Sequence, residues 1–298
     1  MKVYKDEVYV TVPQVVSRGC LPLSTKSSPQ SSGKSALLQP FPSWENHTIG
    51  DCKAFQFVQA IEIEPSRGLM FVVDTGRSGV FDSVKKNSCP AKIVIIDIDK
   101  KTELGRYTFP EEVASQTENY LNDIVLDYFD NQSAYAYITD TGKPGIVVFD
   151  LKGNTSYRFE DAKTMSSEAD KPSSLTGYLW AQIYPSTGYA MSADFRYAYF
   201  SAVTGTSLYQ VPTSALRDPK TNITTVIRKV GDKPSQSDGL IYAQKNLYFG
   251  GLNDRSLYRW EVSKDVKSAG SEGNVALVTT SAILKNVSEL TWGGYFCH

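Results

Sequence analysis

The sequence predicts an all-β fold, a β-propeller built from repeated four-stranded sheets. The main observation is a recurring pair of strands rich in Tyr, Val, Ile and Phe and split by a turn of Gly, Asp or Asn. Equivalent aromatic residues of these pairs lie 62, 66, 63 and 49 residues apart, at Tyr9, Phe71, Tyr137, Phe200 and Phe249. Helical periodicity is nearly absent. A β-sandwich also contains many short strands, but it does not repeat one strand order in this way.

Four copies of the strand pair follow one another along the chain. They occupy residues 68–76 with 92–97, 133–142 with 145–151, 196–201 with 207–211, and 245–250 with 256–260. A further short strand precedes these pairs, at 57–63, 121–127, 188–192 and 239–242. Each unit therefore has at least three visible strands, which is typical of a propeller blade.

The repeat predicts that residues 1–298 form one propeller domain. A partial first blade is expected at residues 1–50, where 6–12 forms a strand, and a last blade begins near 289–298. This organisation gives five or six blades, within the usual range of about four to eight. The chain ends before the last blade can pair its outer strands, and open strand edges promote aggregation. We therefore expect the functional protein to extend beyond both ends.

Charge and hydropathy exclude two classes of partner. The 298 residues contain 31 Lys and Arg against 32 Asp and Glu, a net charge of −1. Nucleic acids and anionic membranes bind clustered positive charge, so neither is an expected partner. The apolar runs at 93–96 and 146–149 have the length of strands, far short of the roughly 20 residues of a membrane span. The oligomeric state stays open.

The sequons favour an extracellular protein, although residues 1–7 lack the apolar stretch of a secretory signal. Composition predicts about two Asn-x-Ser/Thr sequons, because 54 of the 298 residues are Ser or Thr and 11 are Asn. The chain has five, at Asn46, Asn131, Asn154, Asn222 and Asn286. We therefore expect a glycoprotein whose signal peptide lies upstream of residue 1.

The four cysteines, Cys20, Cys52, Cys89 and Cys297, show no Cys-x-x-Cys or His-containing metal spacing. A bridge between Cys52 and Cys89 would close a loop of 37 positions. Loop entropy suggests that such a bridge stabilises the fold by about 3 to 4.7 kcal/mol. Buried free thiols are the alternative. The pairing of Cys20 and Cys297 stays open.

The sequence contains two histidines, too few for most histidine-dependent catalytic or metal sites. The two histidines, His47 and His298, lie outside the strands, so neither a serine hydrolase triad nor a zinc hydrolase is expected. No cofactor is expected. Asn122 and Asp123 are weak candidates for a calcium site resembling that of lactonase propellers, because Asn and Asp oxygens suit a hard cation. The alternative for both residues is an Asx turn.

A series of motifs runs in order along nearly the whole chain. It includes Asp-Glu-Val-Tyr-Val-Thr-Val-Pro at 6–13, Leu-Gln-Pro-Phe-Pro-Ser-Trp at 38–44, Val-Asp-Thr-Gly at 73–76, Cys-Pro-Ala-Lys-Ile-Val at 89–94 and Val-Pro-Thr-Ser-Ala-Leu-Arg at 211–217. The series resembles the yellow / major royal jelly protein family of secreted insect-type proteins, and the motif at 211–217 is the most diagnostic. The resemblance implies six blades and secretion.

The resemblance also implies a ligand. Some members of the family bind biogenic amines in the central channel. Such a ligand requires aromatic walls, a hydroxyl or amide hydrogen bond, and an acceptor for its ammonium. The residues near the family's ligand-contacting segments are Ser237, Phe249 and Asn253, with Asp254 as a counter-ion.

Two further functions stay open. Other family members are associated with dopachrome conversion in melanin formation, a tautomerisation that moves a proton from one atom to another. In a His-poor channel the acid or base would be Asp74, Asp140 or Tyr137. The remaining hypothesis is a structural or nutritive secreted protein without catalysis.

Overall fold

The computed structural model describes residues 1–12, 39–79, 89–129, 132–166, 186–252, 254, 256–261 and 275–280. Most of the regular structure in these ranges is β-strand, and α1 (Ala162–Met165) and α2 (Thr213–Leu216) are single helical turns. No helix of the described ranges is long and apolar enough to cross a membrane. The chain divides into two compact units, Met1–Ile124 and Val125–His298.

The first unit contains a hairpin and a four-stranded antiparallel sheet. Its strands are β1 (Lys2–Tyr4) and β2 (Glu7–Tyr9) in the hairpin, then β3 (Val58–Glu64), β4 (Leu69–Asp74), β5 (Lys92–Asp97) and β6 (Thr102–Thr108) in the sheet. β4 and β5 are largely buried on both faces, which accounts for their uninterrupted apolar runs. β6 is polar and exposed, as suits an edge strand.

Three more four-stranded sheets follow. The first contains β7 (Leu121–Phe129), which crosses the boundary between the units, β8 (Gln132–Asp140), β9 (Gly145–Asp150) and β10 (Thr155–Phe159). The next contains β11 (Ser186–Met191), β12 (Tyr197–Ala202), β13 (Ser207–Pro212) and β14 (Arg228–Asp232). The last contains β15 (Leu240–Ala243), β16 (Asn246–Gly251), β17 (Ser256–Glu261) and β18 (Val275–Thr280). In all of them the strand order follows the chain, as it does in propeller blades.

Apolar clusters join neighbouring sheets within the second unit. Tyr137 and Phe200 belong to the cluster shared by the sheets β7–β10 and β11–β14. Tyr199, Phe249 and Trp260 belong to the cluster shared by the sheets β11–β14 and β15–β18. Large buried rings contribute much of the apolar area in such cores. The aromatic repeat in the sequence therefore reflects packing between blades.

The structure confirms the all-β class and the repeated blade. Four blades lie in the described residues, and the predicted aromatic equivalents Phe71, Tyr137, Phe200 and Phe249 each lie on the second strand of a sheet. The predicted partial copy at 6–12 contains β2, which pairs with β1. The count of six blades and the single domain over 1–298 stay predictions, and the last blade near 289–298 lies outside the described residues.

Each sheet has one end at which its first strand begins and its second strand finishes. In the first sheet, Val58 at the start of β3 pairs with Asp74 at the end of β4, and Asp74 also pairs with Lys92 at the start of β5. In the last sheet, Leu240 at the start of β15 pairs with Phe249 near the end of β16. We call this the upper end of a sheet. It brings together residues that lie before the first strand and residues of the turn after the second.

Candidate functional site

Asp74, a predicted acid or base, closes the upper end of the first sheet. Its fully buried carboxylate accepts hydrogen bonds from the backbone N–H groups of Gln56, Phe57 and Gly76 at 2.8, 2.9 and 2.9 Å. It also accepts a hydrogen bond from Nζ of buried Lys92 at 2.7 Å. A carboxylate offers about four lone-pair sites, so these four bonds occupy its capacity. The arrangement fixes the loop that enters β3.

Asp140 has a comparable place in the next sheet, where it ends β8. Its buried carboxylate accepts from the backbone N–H groups of Gly142 and Lys143 at 3.1 Å each, and Nη1 of Arg158 lies 3.1 Å away. Both Asp74 and Asp140 begin an Asp-Thr-Gly turn. An aspartate that bonds backbone N–H groups two residues on stabilises a turn of this kind.

Tyr137, the third predicted acid or base, lies in the middle of β8 and not at the upper end. Its hydroxyl donates to Oδ2 of Asp127 at 2.5 Å, and Arg217 donates to both oxygens of the same carboxylate at 2.8 and 2.7 Å. Burial, together with the adjacent Asp127 carboxylate, raises the pKa of Tyr137 above its usual range. Tyr137 is therefore a hydrogen-bond donor at neutral pH.

Sequence reasoning missed the roles of Asp127 and Arg217. Arg217 ends the Val-Pro-Thr-Ser-Ala-Leu-Arg motif directly after α2, and Asp127 lies on β7, so the ion pair joins two sheets of the second unit. Bidentate Arg–carboxylate pairs of this kind are both strong and directional. This ion pair explains the arginine at the end of the most diagnostic motif in the sequence.

Three of the four residues predicted to bind a ligand lie in one connected group at the upper end of the last sheet. Lys233 Nζ donates to Ser237 Oγ at 2.5 Å and lies 5.8 Å from the centre of the Phe249 ring. Phe249 stacks on Tyr258 with ring centres 5.5 Å apart, and the Tyr258 hydroxyl donates to Oδ2 of Asp254. We call these five residues the Lys233 cluster.

The cluster is buried at one end and open at the other. Ser237 and Phe249 are fully buried and Lys233 is 3% exposed, whereas Asp254 is exposed. Burial, followed by the hydrogen bond to Asp254, raises the pKa of Tyr258, which keeps it a donor. The group thus has a positive charge at its buried end, a negative charge at its open end, and two aromatic rings between them.

Hydrogen bonds hold the backbone on both sides of the Lys233 cluster. The Gln236 side chain donates to the carbonyl of Thr204, in the turn after β12, at 2.5 Å. The Leu252 N–H donates to the carbonyl of Gln236 at 2.9 Å. At Gly251, a Cβ atom would lie 2.1 Å from Oδ1 of Asp254, so a larger residue here would displace the Asp254 side chain. These contacts bring residues of the loop before β15 to the turn after β16.

Sequence reasoning missed Lys233 and Tyr258 as members of this group. Lys233 lies in the segment Gly-Asp-Lys-Pro-Ser, which has the composition of an exposed loop, and Tyr258 has the spacing of a core strand residue. The predicted residue Asn253 lies outside the described residues. No local pattern pointed to Lys233, because its burial depends on packing between two sheets.

The weak metal candidates Asn122 and Asp123 lie on β7 and are partly exposed. The Asp123 carboxylate accepts from the backbone N–H of Ile124 at 2.9 Å. Within the described ranges, no three His, Cys, Asp or Glu side chains form a group that could hold a metal ion.

The predicted disulfide between Cys52 and Cys89 is confirmed, with Cα atoms 5.3 Å apart. Cys20 and Cys297 lie outside the described residues, as do the sequons at Asn131 and Asn286. Of the other sequons, Asn154 and Asn222 are exposed, and Asn46 is partly buried and accepts a hydrogen bond from Ser43.

Comparison with known proteins gives a family match over most of the chain. The family model described as Major royal jelly protein matches residues 58–290. That range includes all four sheets and the whole Lys233 cluster.

Individual relatives agree with this match at low identity. Protein yellow of Drosophila melanogaster is 26% identical over 223 residues, which cover 72% of this chain and 41% of the relative. Dopaminechrome tautomerase of the same species is 27% identical over 165 residues, covering 52% of this chain and 34% of the relative. Major royal jelly protein 1 of Apis mellifera is 23% identical over 235 residues, covering 75% and 53%. The matched part of this chain thus spans about half or less of each relative.

Proposed function

The chain belongs to the Major royal jelly protein family, and from that membership we propose that it is an extracellular protein that binds a small aromatic amine at the Lys233 cluster. The observation that carries the proposal is the connection between Ser237, Phe249 and Asp254. An aromatic amine needs a ring surface, a hydrogen-bonding hydroxyl and a carboxylate for its ammonium. The cluster contains all three kinds of group, with Asp254 at its exposed end.

Asp254 is the proposed counter-ion of the amine. It is exposed, and among the described residues its carboxylate accepts one side-chain hydrogen bond, from Tyr258. The remaining lone pairs are available to an ammonium group. The neighbouring ring of Tyr258 adds a surface on which a cation is attracted to the π-electrons.

A tautomerase is the second candidate function. It is favoured by the relative named Dopaminechrome tautomerase, and it needs a group that accepts a proton and a group that returns one. Asp74, Asp140 and Tyr137 stay the proposed acids or bases, but Asp74 and Tyr137 are each engaged in buried hydrogen bonds. Amine binding therefore ranks first.

The disulfide supports the extracellular part of the proposal, because disulfides persist in oxidising compartments. Two exposed sequons, Asn154 and Asn222, add to this support. The test is peptide mass mapping of protein secreted from insect cells, before and after glycosidase treatment. We expect glycans at Asn154 and Asn222. Unmodified asparagine at both positions in secreted protein would contradict the expectation of glycosylation.

The test of function is isothermal titration of the glycosylated protein with serotonin, dopamine and histamine, followed by a dopachrome absorbance assay on the same sample. Saturable amine binding without turnover is the expected result. Turnover without amine binding would favour the tautomerase. No response in either assay would contradict both and leave a structural or nutritive role.

A further inference from the structure

We propose that a buried amide side chain holds the same turn in two of the sheets, so that the turn after a second strand and the segment leading into the following sheet open together. The side chains are those of Asn119 and Gln236. Each donates to the carbonyl oxygen of a threonine that is followed by glycine, Thr75 and Thr204 respectively. We call these two arrangements the amide latches. Neither amide latch requires a bound ligand.

The latched turns share a sequence feature of the repeat. Thr-Gly follows the second strand of the first and third sheets, at 75–76 and 204–205, and the same pair occurs at 141–142 in the second sheet. The segment directly before β11, which would correspond to the positions of Asn119 and Gln236, lies outside the described residues. The two amide latches are therefore two instances of one repeated turn.

The first amide latch holds a peptide unit from both sides. Asn119 Nδ2 donates to the Thr75 carbonyl at 3.2 Å. The N–H of Gly76 belongs to the same peptide unit as that carbonyl, and it donates to Oδ1 of Asp74 at 2.9 Å. Arg77 Nη1 donates to the Asn119 carbonyl at 2.5 Å. Two hydrogen bonds of opposite direction thus join the turn after β4 to the segment that leads into β7.

The second amide latch repeats this arrangement and extends it. Gln236 Nε2 donates to the Thr204 carbonyl at 2.5 Å. The Gly205 N–H of the same peptide unit donates to the Ala202 carbonyl at 3.1 Å. The Gln236 carbonyl accepts from the Leu252 N–H at 2.9 Å. The turn after β12 is thus joined to the loop before β15, and through it to the turn after β16.

Burial and peptide geometry make the opening of each amide latch a single event. Asn119 and Thr75 are fully buried, and Gln236 and Thr204 are 2% and 4% exposed. A buried carbonyl that loses its donor is unfavourable. Because a peptide unit is planar, its carbonyl and its N–H rotate together. A rotation that frees the Thr204 carbonyl from Gln236 therefore also breaks the hydrogen bond of the Gly205 N–H.

The first test is native-state hydrogen exchange of the unchanged protein in low concentrations of urea, followed for single amides by NMR. Amides that open in one event share one opening free energy and one dependence on urea. We expect Gly205 to match Leu252 in both quantities, and Gly76 to match Asn119, whose N–H donates to the Ser115 carbonyl. Both pairs should open more easily than the amides of β12 and β13. Different values within either pair, or exchange of the pairs by global unfolding alone, would overturn the proposal.

Gln236→Met removes the donor of the second amide latch with little change in side-chain length. We expect the amides of Gly205 and Leu252 to exchange about tenfold faster, by the same factor, because a buried carbonyl loses its hydrogen bond. The matched control is Gln210→Met, which removes another buried glutamine of the β11–β14 sheet and should leave both rates unchanged. Faster exchange of Gly205 alone, or of neither amide, would contradict coupled opening. If the amides of β12 and β13 accelerate equally, the urea dependence of the unchanged protein decides.

Asn119→Leu tests whether the first turn uses the same device. We expect the Gly76 amide to exchange about tenfold faster and the Gly205 amide to keep its rate, since each amide latch acts on its own turn. The matched control is Asn246→Leu, because the Asn246 amide also donates to a carbonyl, that of Gln244, at 2.8 Å within one turn. This control should leave Gly76 unchanged. An unchanged Gly76 rate in folded Asn119→Leu would overturn the equivalence of the two turns.

Discussion

Asp74 and Asp254 both lie where the second strand of a sheet leads into the third, yet their surroundings are opposite. Asp74 ends the second strand of the first sheet, is fully buried, and accepts three backbone hydrogen bonds and one from Lys92. Asp254 follows the second strand of the last sheet and is exposed, and Tyr258 is its side-chain donor among the described residues. The first carboxylate is saturated, and the second has capacity left for a ligand.

A similar contrast holds for two buried lysines, Lys92 and Lys233. Lys92 donates to the Asp74 carboxylate, and its contacts lie within the loop and strands of one sheet. Lys233 donates to a serine hydroxyl next to an aromatic ring. Residue type and position in the repeat therefore do not distinguish a structural site from a binding site. We propose that the hydrogen-bonding capacity that remains after folding distinguishes them.

The largest expected effect comes from Lys92→Met. This change leaves the Asp74 carboxylate buried without its cation, which costs about 3–5 kcal/mol of folding free energy. Urea denaturation measures it, with Asp254→Asn as the comparison, for which we expect a loss of less than about 1 kcal/mol. Equal losses in the two variants would contradict the contrast between the turns.

Removal of the disulfide is the next test of the first turn. Cys89 N–H donates to the Gly76 carbonyl beside Asp74, so the bridge to Cys52 anchors this turn. The double variant Cys52→Ser, Cys89→Ser should lose about 3 kcal/mol of stability. The affinity for amines at the Lys233 cluster should not change. A parallel loss of amine affinity, measured at a temperature where the variant is folded, would show that the two turns are not independent.

A smaller effect is expected for Tyr137→Phe. The ring is retained, and the hydrogen bond to Asp127 is lost while Arg217 still neutralises the carboxylate. The cost should be about 1.5–3 kcal/mol, since the acceptor is charged. Denaturation and the dopachrome assay are run on the same sample. If turnover occurs in the unchanged protein and disappears in a folded Tyr137→Phe variant, Tyr137 is catalytic and the structural interpretation is wrong.

The sequence predicted the blades well because their pattern is local. The alternation of strands and turns and the aromatic residue on each second strand follow from spacing along the chain. The Cys52–Cys89 bridge was considered against buried free thiols, and the structure shows the bridge. The number of blades could not be tested in this way, since it depends on residues outside the described ranges.

The sites were harder to predict because they depend on packing between strands that are distant in sequence. The residue type of Asp74 and Asp140 is compatible with catalytic carboxylates. The hydrogen bonds that these carboxylates accept form only in the folded sheets. Asp127 and Arg217 are 90 residues apart in the sequence, and the segment around Lys233 has the composition of an exposed loop. Ser237, Phe249 and Asp254 were named from a family resemblance, whereas the contacts that connect them involve Lys233 and Tyr258.

The most direct test of the account is isothermal titration of dopamine into the unchanged protein and into Asp254→Asn. The matched control is Asp99→Asn, which removes an exposed aspartate paired with Lys5. We expect dopamine to bind the unchanged protein and the control equally, and to bind Asp254→Asn about tenfold more weakly, because a charge-assisted hydrogen bond to its ammonium is lost. Equal affinity for all three proteins would contradict the assignment of Asp254, and with it the amine site at the Lys233 cluster.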